Sequence, residues 1–506
     1  MKKNLKRIMA LVVAMMMAIA MMSVSAFAAA QTYTITIDQK AEDTGSHTYG
    51  AYQIFAGDLS SDGKTISNIT WGSGVDAAKI SGFTFADKST ATDIAAALTT
   101  DNAAQFATAI QDYLGTAAAT ASTPSTGDSK DVKLSGLAAG YYLVKDTVAP
   151  TGQASQTAYI LKVVADQTVE PKSSVPTHEK KVDDVNDTTG DETKLRDSAD
   201  YDIGDKVPYT LTSTLGTGMD NYKSYSVKIS DTMCAGLTYQ NDAVITLDGK
   251  DVTDKFTAAT PETGTDGYTT YAWSCDDIKA LGAHDGSKIV VKYTAELNSN
   301  AVIGSAGNPN ESWLQYDNNP NESGKGTPGG KTPHDKNIVF TYKVDVNKID
   351  KDGNPLKGAE FTLYKKIKGT EDKAIAAVTL DDDKTKFEFK GLDDGTYVLK
   401  ETKVPDGYNK IDDVEFTITA EHELNADDPQ LTKLNGVEST GEIDLGTAQK
   451  ATVDKNAGSI TSNIKNFKGS SLPTTGGIGT TIFYILGAIL VAGAAVVLVA
   501  RKRSEN

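Results

Sequence analysis

Phe340-Thr341-Tyr342-Lys343-Val344-Asp345-Val346-Asn347-Lys348 alternates apolar and polar side chains along its second half. Period two is the signature of a half-buried strand, in which every second side chain enters a core. Val344, Val346 and Lys348 therefore share a face, and a lysine points where valines point. An unpaired ammonium in that place costs several kcal/mol, so Lys348 demands a partner.

Similar short strands flank this one. In the same block they fall at 360–365, 374–380, 386–390, 396–400 and 414–419; a preceding block has them at 209–215, 225–229, 244–247, 269–273, 289–293 and 313–316. The first block opens on Thr32-Tyr33-Thr34-Ile35-Thr36-Ile37 and continues at 49–55, 66–71, 133–134, 141–145 and 158–164. Short strands punctuated by Gly, Ser and Asp predict β-sandwiches. A weak repeat links the outer blocks: Gly136-Leu137 with Gly140-Tyr141-Tyr142-Leu143-Val144-Lys145-Asp146 echoes Gly391-Leu392 with Gly395-Thr396-Tyr397-Val398-Leu399-Lys400-Glu401. The fold class is mainly β, three tandem Ig-like sandwiches, with a helical insertion over 92–114 in the first, for which Asp93 and Asp101 are candidate caps. The stretch 116–130 reads as an exposed loop and 318–336 as a linker or long loop.

The chain of 506 residues carries a net charge of -17. No basic stripe with interleaved aromatics occurs, which excludes nucleic acid as a partner. Two cysteines, Cys234 and Cys275, exclude a disulfide-dense scaffold and leave open a single bridge or two buried thiols. Five scattered histidines, with no H-E-x-x-H or C-x-x-C spacing, indicate no metal and no cofactor. Asp350-Lys351-Asp352-Gly353-Asn354 begins like a calcium loop, but Phe361 stands where the closing Glu belongs, so a hairpin turn is expected. No Ser/His/Asp, Cys/His or metal constellation supports an enzyme.

Both ends carry processing signals. Lys2, Lys3, Lys6 and Arg7 precede an apolar core and Ala26-Phe27-Ala28, the pattern of a secretory signal peptide over 1–30. At the other end Leu472-Pro473-Thr474-Thr475-Gly476 is followed by an apolar run over 478–500 and by Arg501-Lys502-Arg503. That run exceeds the ~20 residues a membrane-crossing helix needs, and the basic tail holds its end in the cytoplasm. Pro473 favours an extended backbone and Gly476 permits close approach, which suits a segment gripped by another protein.

Lys348 acquires a chemistry once its neighbours are considered. Along 397–401, Tyr397, Leu399 and Glu401 share parity; along 460–467, Ile460, Ile464 and Asn466 do. Lysine, carboxylic acid and asparagine thus converge in one sandwich. A desolvated lysine sheds its proton and becomes a nucleophile, while a desolvated acid keeps its proton and polarises an amide carbonyl. Attack on the asparagine amide releases ammonia and leaves an isopeptide link. In the second block Lys180 shares parity with Val182 and points inward, and Lys181 points to solvent.

These motifs resemble a family. Leu472-Pro473-Thr474-Thr475-Gly476 matches the LPxTG sorting signal of Gram-positive surface proteins, cut by sortase between Thr475 and Gly476. Lys348-Ile349-Asp350, Pro355-Leu356-Lys357-Gly358-Ala359-Glu360-Phe361 and Glu401-Thr402-Lys403-Val404-Pro405-Asp406-Gly407-Tyr408 resemble motifs of collagen-adhesin B-type and pilin domains. The resemblance implies an autocatalytic bond between Lys348 and Asn466 with Glu401 as the acid. Asn466 is preferred to Asn463 because Asn466-Phe467-Lys468-Gly469 resembles the family's N-x-x-G. Ile229-Ser230-Asp231-Thr232 with Gly236-Leu237-Thr238-Tyr239 resembles pilin middle domains, implying Asp231 as acid for Lys180; Asn310-Glu311-Ser312-Trp313-Leu314-Gln315-Tyr316 resembles their closing strand, suggesting Asn310, with Asn318 and Asn319 as rivals. The first block has Asp146 at the position of Glu401 but no asparagine in its last strand, so no bond is expected there. Val169-Glu170-Pro171-Lys172 resembles the pilin motif, with Glu170 in place of the usual Tyr.

The resemblance implies the major (backbone) subunit of a sortase-assembled pilus, a structural polymer joined from Thr475 of one copy to Lys172 of the next by a class C-type sortase. Implied partners are that sortase, other copies of the chain, minor and tip pilins, peptidoglycan and host surface ligands; the implied place is the cell wall, after a transient membrane precursor. The competing expectation is an LPxTG wall-anchored adhesin, which needs no linkage lysine. The implied organisation is a pilin domain over 31–172, an isopeptide-forming middle domain over 173–340, a collagen-adhesin B-type, prealbumin-like domain over 341–468 and the sorting signal over 469–506.

Overall fold

In a computed structural model the chain is described over residues 31–469, except 42, 125–129, 149, 151–152, 157, 172–173, 320–327 and 446–448. Alternating sequences form strands as their periodicity requires: Tyr342–Ile349, Lys288–Leu297 and Asn308–Tyr316 each bury every second residue. A sheet with one apolar face must cover that face, and here sheets pair into sandwiches.

In the first unit, Tyr33–Ile37 lies between Val132–Leu137 and Gln167–Val169, facing a five-stranded sheet centred on Thr48–Leu59 and Gly140–Asp146. Tyr33, Ile35, Leu134 and Val144 fill the space between. A second apolar cluster around Ile54, Phe55 and Phe106 packs under the helical insertion. That insertion is two helices, Ala91–Ala97 and Ala103–Ala109, followed by a 3-10 turn. Thr90 rather than Asp93 caps the first: its hydroxyl accepts the Asp93 N–H and donates to the Asp93 carboxylate at 2.8 Å. Asn102 rather than Asp101 precedes the second helix, and its Oδ1 accepts the Thr99 N–H at 2.7 Å to close the break between them. Within the expected loop 116–130, Ala119–Ser122 pairs with Thr48–Leu59 as a strand.

The middle unit faces a sheet containing Thr177–Val185, Lys206–Thr214 and Lys288–Leu297 against one in which Asn308–Tyr316 lies between Val227–Met233 and Asp335–Phe340. Val182, Leu211, Ile229, Val291 and Leu314 lie in its core. Asp335–Phe340 runs back antiparallel along Asn308–Tyr316, placing Asn337 opposite Asn310. The unit therefore continues past 318–336, and Asn308–Tyr316 is not its closing strand. Cys275 opposes Val227 while Cys234 follows Met233 at the other end of the same strand, so the two buried thiols stay free.

In the third unit Tyr342–Ile349 lies between Lys386–Leu392 and the parallel strand Ser459–Lys465, with Lys348 opposite Ile464. The facing sheet contains Glu360–Lys365, Gly395–Lys403 and Val414–Ile418. Asp350 closes a turn, its Oδ1 accepting the N–H groups of Asp352 and Asn354 at 2.8 and 2.9 Å. Among the described residues no helix is long and apolar enough to cross a membrane.

Candidate functional site

The third unit brings Lys348, Glu401 and Asn466 together from three segments, with exposures of 1%, 1% and 0%. Strand pairing positions them. Lys348 takes the inward parity of its strand, Glu401 comes from the facing sheet, and Asn466 follows Ser459–Lys465, its N–H donating to Ile349 O at 3.1 Å. Lys348 Nζ donates to Asn466 Oδ1 at 2.8 Å and to Ile464 O at 3.0 Å, and Asn466 Nδ2 donates to Glu401 Oε1 at 2.8 Å. The other carboxylate oxygen accepts the Ile411 N–H at 3.2 Å. Burial, against the attraction of Glu401, draws the Lys348 amine down to about 8.

The middle unit builds a second constellation across its sandwich. Lys180, Asp231 and Asn310 are all fully buried. Lys180 Nζ donates to Asp231 Oδ2 and, at 2.8 Å, to the hydroxyl of Tyr293. That hydroxyl donates to Asp231 Oδ2 at 2.8 Å and accepts from Asn310 Nδ2 at 2.8 Å. Tyr293 thus links all three groups, and Lys180 Nζ also lies 4.6 Å from the ring centre of Tyr209. Burial pulls Lys180 down and pushes Asp231 up, each against the attraction of the other. Both shifts favour the uncharged pair, a free amine beside a protonated acid. Asn310 Oδ1 and Asp231 Oδ1 lack hydrogen-bond partners, so a proton on Asp231 supplies a donor in a site where the amide oxygen has none.

Lys181 points away and pairs with Asp197 at 2.5 Å. Asn318 lies beyond the far end of the Asn310 strand, where its backbone carbonyl accepts the Gln156 N–H at 2.7 Å. Neither meets the Lys180 cluster in any described contact. Sequence parity missed Tyr293, although Ile289, Val291 and Tyr293 share one buried face; its hydroxyl was the available signal. It also missed Asn337, whose Nδ2 donates to the backbone oxygen of Lys180 at 3.1 Å.

The first unit holds something different at its Glu401-like position. Asp146 Oδ1 accepts from His47 Nδ1 at 2.9 Å, and Asp43 Oδ1 accepts from His47 Nε2 at 3.1 Å. Burial opposes the imidazolium, but the two carboxylates prevail and raise His47 to about 9. Lys172, the sorting motif 472–476, the signal peptide and the apolar run 478–500 lie outside the described residues.

A family model for the prealbumin-like fold domain matches residues 342–430, and one for the LPXTG cell wall anchor motif matches 465–506. The trypsin-resistant surface T6 protein of Streptococcus pyogenes serotype M6 is 25% identical over 401 residues, 67% of this chain and 70% of that protein. In these matches the chain is similar to Gram-positive backbone pilins. The fold of this pilin agrees: the T6 backbone pilin of Streptococcus pyogenes, described as a modular three-domain structure, superposes with a TM-score of 0.54 at 18% identity, covering 87% of this chain and 99% of that one. The full-length major pilin SpaD of Corynebacterium diphtheriae gives 0.51 at 18% identity, covering 87% and 98%. The family is structural rather than enzymatic, and the pilin is a cell-wall-anchored surface protein.

Proposed function

We propose that this pilin is a shaft subunit whose middle and C-terminal domains are each stapled by one internal isopeptide bond and whose copies are joined by a class C-type sortase from Thr475 to Lys172 of the next. The observation that carries the reading is the buried contact of Lys348 with the Asn466 amide, itself held by Glu401.

The chemistry balances within each site. A proton passes from lysine to the acid, leaving a neutral amine and a neutral carboxyl group. The amine attacks the asparagine Cγ while the acid polarises the amide and then protonates its nitrogen. The C–N bond to lysine forms, the old C–N bond breaks, ammonia leaves, and no external reagent is consumed. In the C-terminal domain the reacting groups lie on neighbouring parallel strands; in the middle domain the bond joins the two sheets.

Linkage at Lys172 puts residues 31–171 beside the line of tension rather than in it. Domains that carry tension gain from a covalent tie, and one off that line does not, which fits a histidine between two aspartates in the first unit. The test is polymerisation with the cognate sortase, followed by digestion. A peptide joining Thr475 to Lys172 is expected, together with loss of polymer on Lys172→Ala; polymer persisting in that variant would refute the linkage.

A further inference from the structure

The turn Gly391-Leu392-Asp393-Asp394-Gly395 is the third-domain counterpart of Gly136-Leu137-Ala138-Ala139-Gly140. Both turns are built alike. Gly136 and Gly391 take φ of 79° and 73°, and Tyr142 and Tyr397 each donate through the hydroxyl to the backbone oxygen of Ala138 or Asp393 at 2.9 Å. Since alanines suffice for this turn, the carboxylates of Asp393 and Asp394 are not there to shape it.

They face the middle domain. One oxygen each from Asp200, Asp393 and Asp394 lies within 4.8 Å of the others. Asp200 and Asp393 are 2% and 1% exposed, and Asp200 Oδ2 and Asp393 Oδ1 have no hydrogen-bond partner. The buried Tyr342 hydroxyl faces Asp200 without meeting it in a hydrogen bond of normal geometry.

The nearby cations reach the other oxygens of Asp393 and Asp200. Lys365 Nζ, itself fully buried, contacts Asp187 Oδ2, Asp393 Oδ2 and Asp202 Oδ2 at 2.9, 3.0 and 3.2 Å, and Lys373 Nζ contacts Asp202 Oδ2 at 3.1 Å. His422 Nε2 stands 3.8 Å from Asp200 Oδ1, with its Nδ1 on Ser198 Oγ. Asp394 Oδ1 accepts the neutral Asn186 amide at 2.7 Å. Asp200 Oδ2 and Asp393 Oδ1 are thus left as buried acceptors without a donor, a costly arrangement unless a cation or proton lies between them.

We propose that Asp200, Asp393 and Asp394 bind a hard divalent cation of the calcium type, which ties the middle domain to the C-terminal domain. An all-oxygen donor set selects such a cation over softer metals. Asp394 is only partly buried, so an ion can reach the site from its side. The sequence gives no metal signature because the ligands come from two domains and share no local spacing.

The test is calcium titration of the chain over 31–471, by calorimetry and by terbium luminescence excited through tyrosine, which Tyr342 beside the site would sensitise. One ion per chain is expected, and a hundredfold excess of calcium over Kd should raise the unfolding midpoint by roughly 5–10 °C. The double variant Asp393→Ala, Asp394→Ala, which copies Ala138 and Ala139, should keep its far-UV circular dichroism and cooperative unfolding yet lose both responses. Asp394→Asn alone should weaken binding at least about tenfold. No bound ion at millimolar calcium, or undiminished binding by the double variant, would overturn the proposal; so would a calcium-independent midpoint that rises as the pH falls, since a shared proton would then be holding the carboxylates.

Discussion

Lys348 Nζ lies 2.8 Å from Asn466 Oδ1, and the nitrogen of the same amide lies 2.8 Å from Glu401. Nucleophile, electrophile and acid are thus in contact before any bond forms. Glu401→Gln keeps the shape but cannot deliver a proton, so the C-terminal bond should be absent and the mass about 17 Da above that calculated for the cross-linked variant, the ammonia retained. Lys348 and Asn466 stand 118 residues apart, and losing a tie across such a loop should lower stability by about 4–5 kcal/mol on the loop-entropy estimate. Denaturant unfolding of this variant against the parent checks both direction and size.

In the middle domain, Asp231→Ala should abolish the bond, whereas Tyr293→Phe should slow it. The phenylalanine retains lysine, acid and amide but removes the hydroxyl that links them. Time-resolved mass spectrometry of freshly folded protein should find the Tyr293→Phe bond forming late but eventually; unchanged kinetics would deny the hydroxyl a role.

Asn310 is not on the closing strand of its unit, and this has a mechanical consequence. A Lys180–Asn310 bond shields the chain between those residues but leaves 311–340 under load, held by the pairing of Asp335–Phe340 with Asn308–Tyr316. Pulling from Lys172 to Thr475 should release at most roughly 30 residues from the middle domain, about 100 Å of chain. Release of the whole domain would mean that the staple is missing.

The first unit should respond to pH instead. His47 is raised in the folded state to about 9 from 6.5, so its contribution is fully present below pH 6.5 and is lost as pH rises through about 9. The shift corresponds to about 3 kcal/mol. Thermal unfolding of the first domain should fall across that window, and His47→Gln should flatten the profile at a lower overall stability.

Much of the architecture follows from periodicity. The same-face rule that joins Val344, Val346 and Lys348 matches the burial of Tyr342–Ile349, because a strand in a sandwich leaves side chains only two directions. Parity could likewise put Glu401 and Asn466 on inward faces. It was blind to what depends on contact across the fold. The 92–114 periodicity runs through the break that Asn102 makes with Thr99. The strand Asp335–Phe340 starts inside a Pro- and Gly-rich stretch and is recruited by Asn308–Tyr316. Tyr293 ends the expected strand 289–293, but its hydroxyl meets three polar groups only across the sandwich, and the partner of Asp146 lies 99 residues away in His47. Asp200, Asp393 and Asp394 meet only when two domains pack.

The most direct measurement is the intact mass of the secreted chain over 31–471, with both thiols reduced, followed by sequencing of its cross-linked peptides. Two internal bonds predict a deficit of about 34 Da and linked peptides pairing Lys348 with Asn466 and Lys180 with Asn310. A folded chain with its full, uncorrected mass would contradict the account, since the buried lysines would then be pairing with acids and amides without reacting.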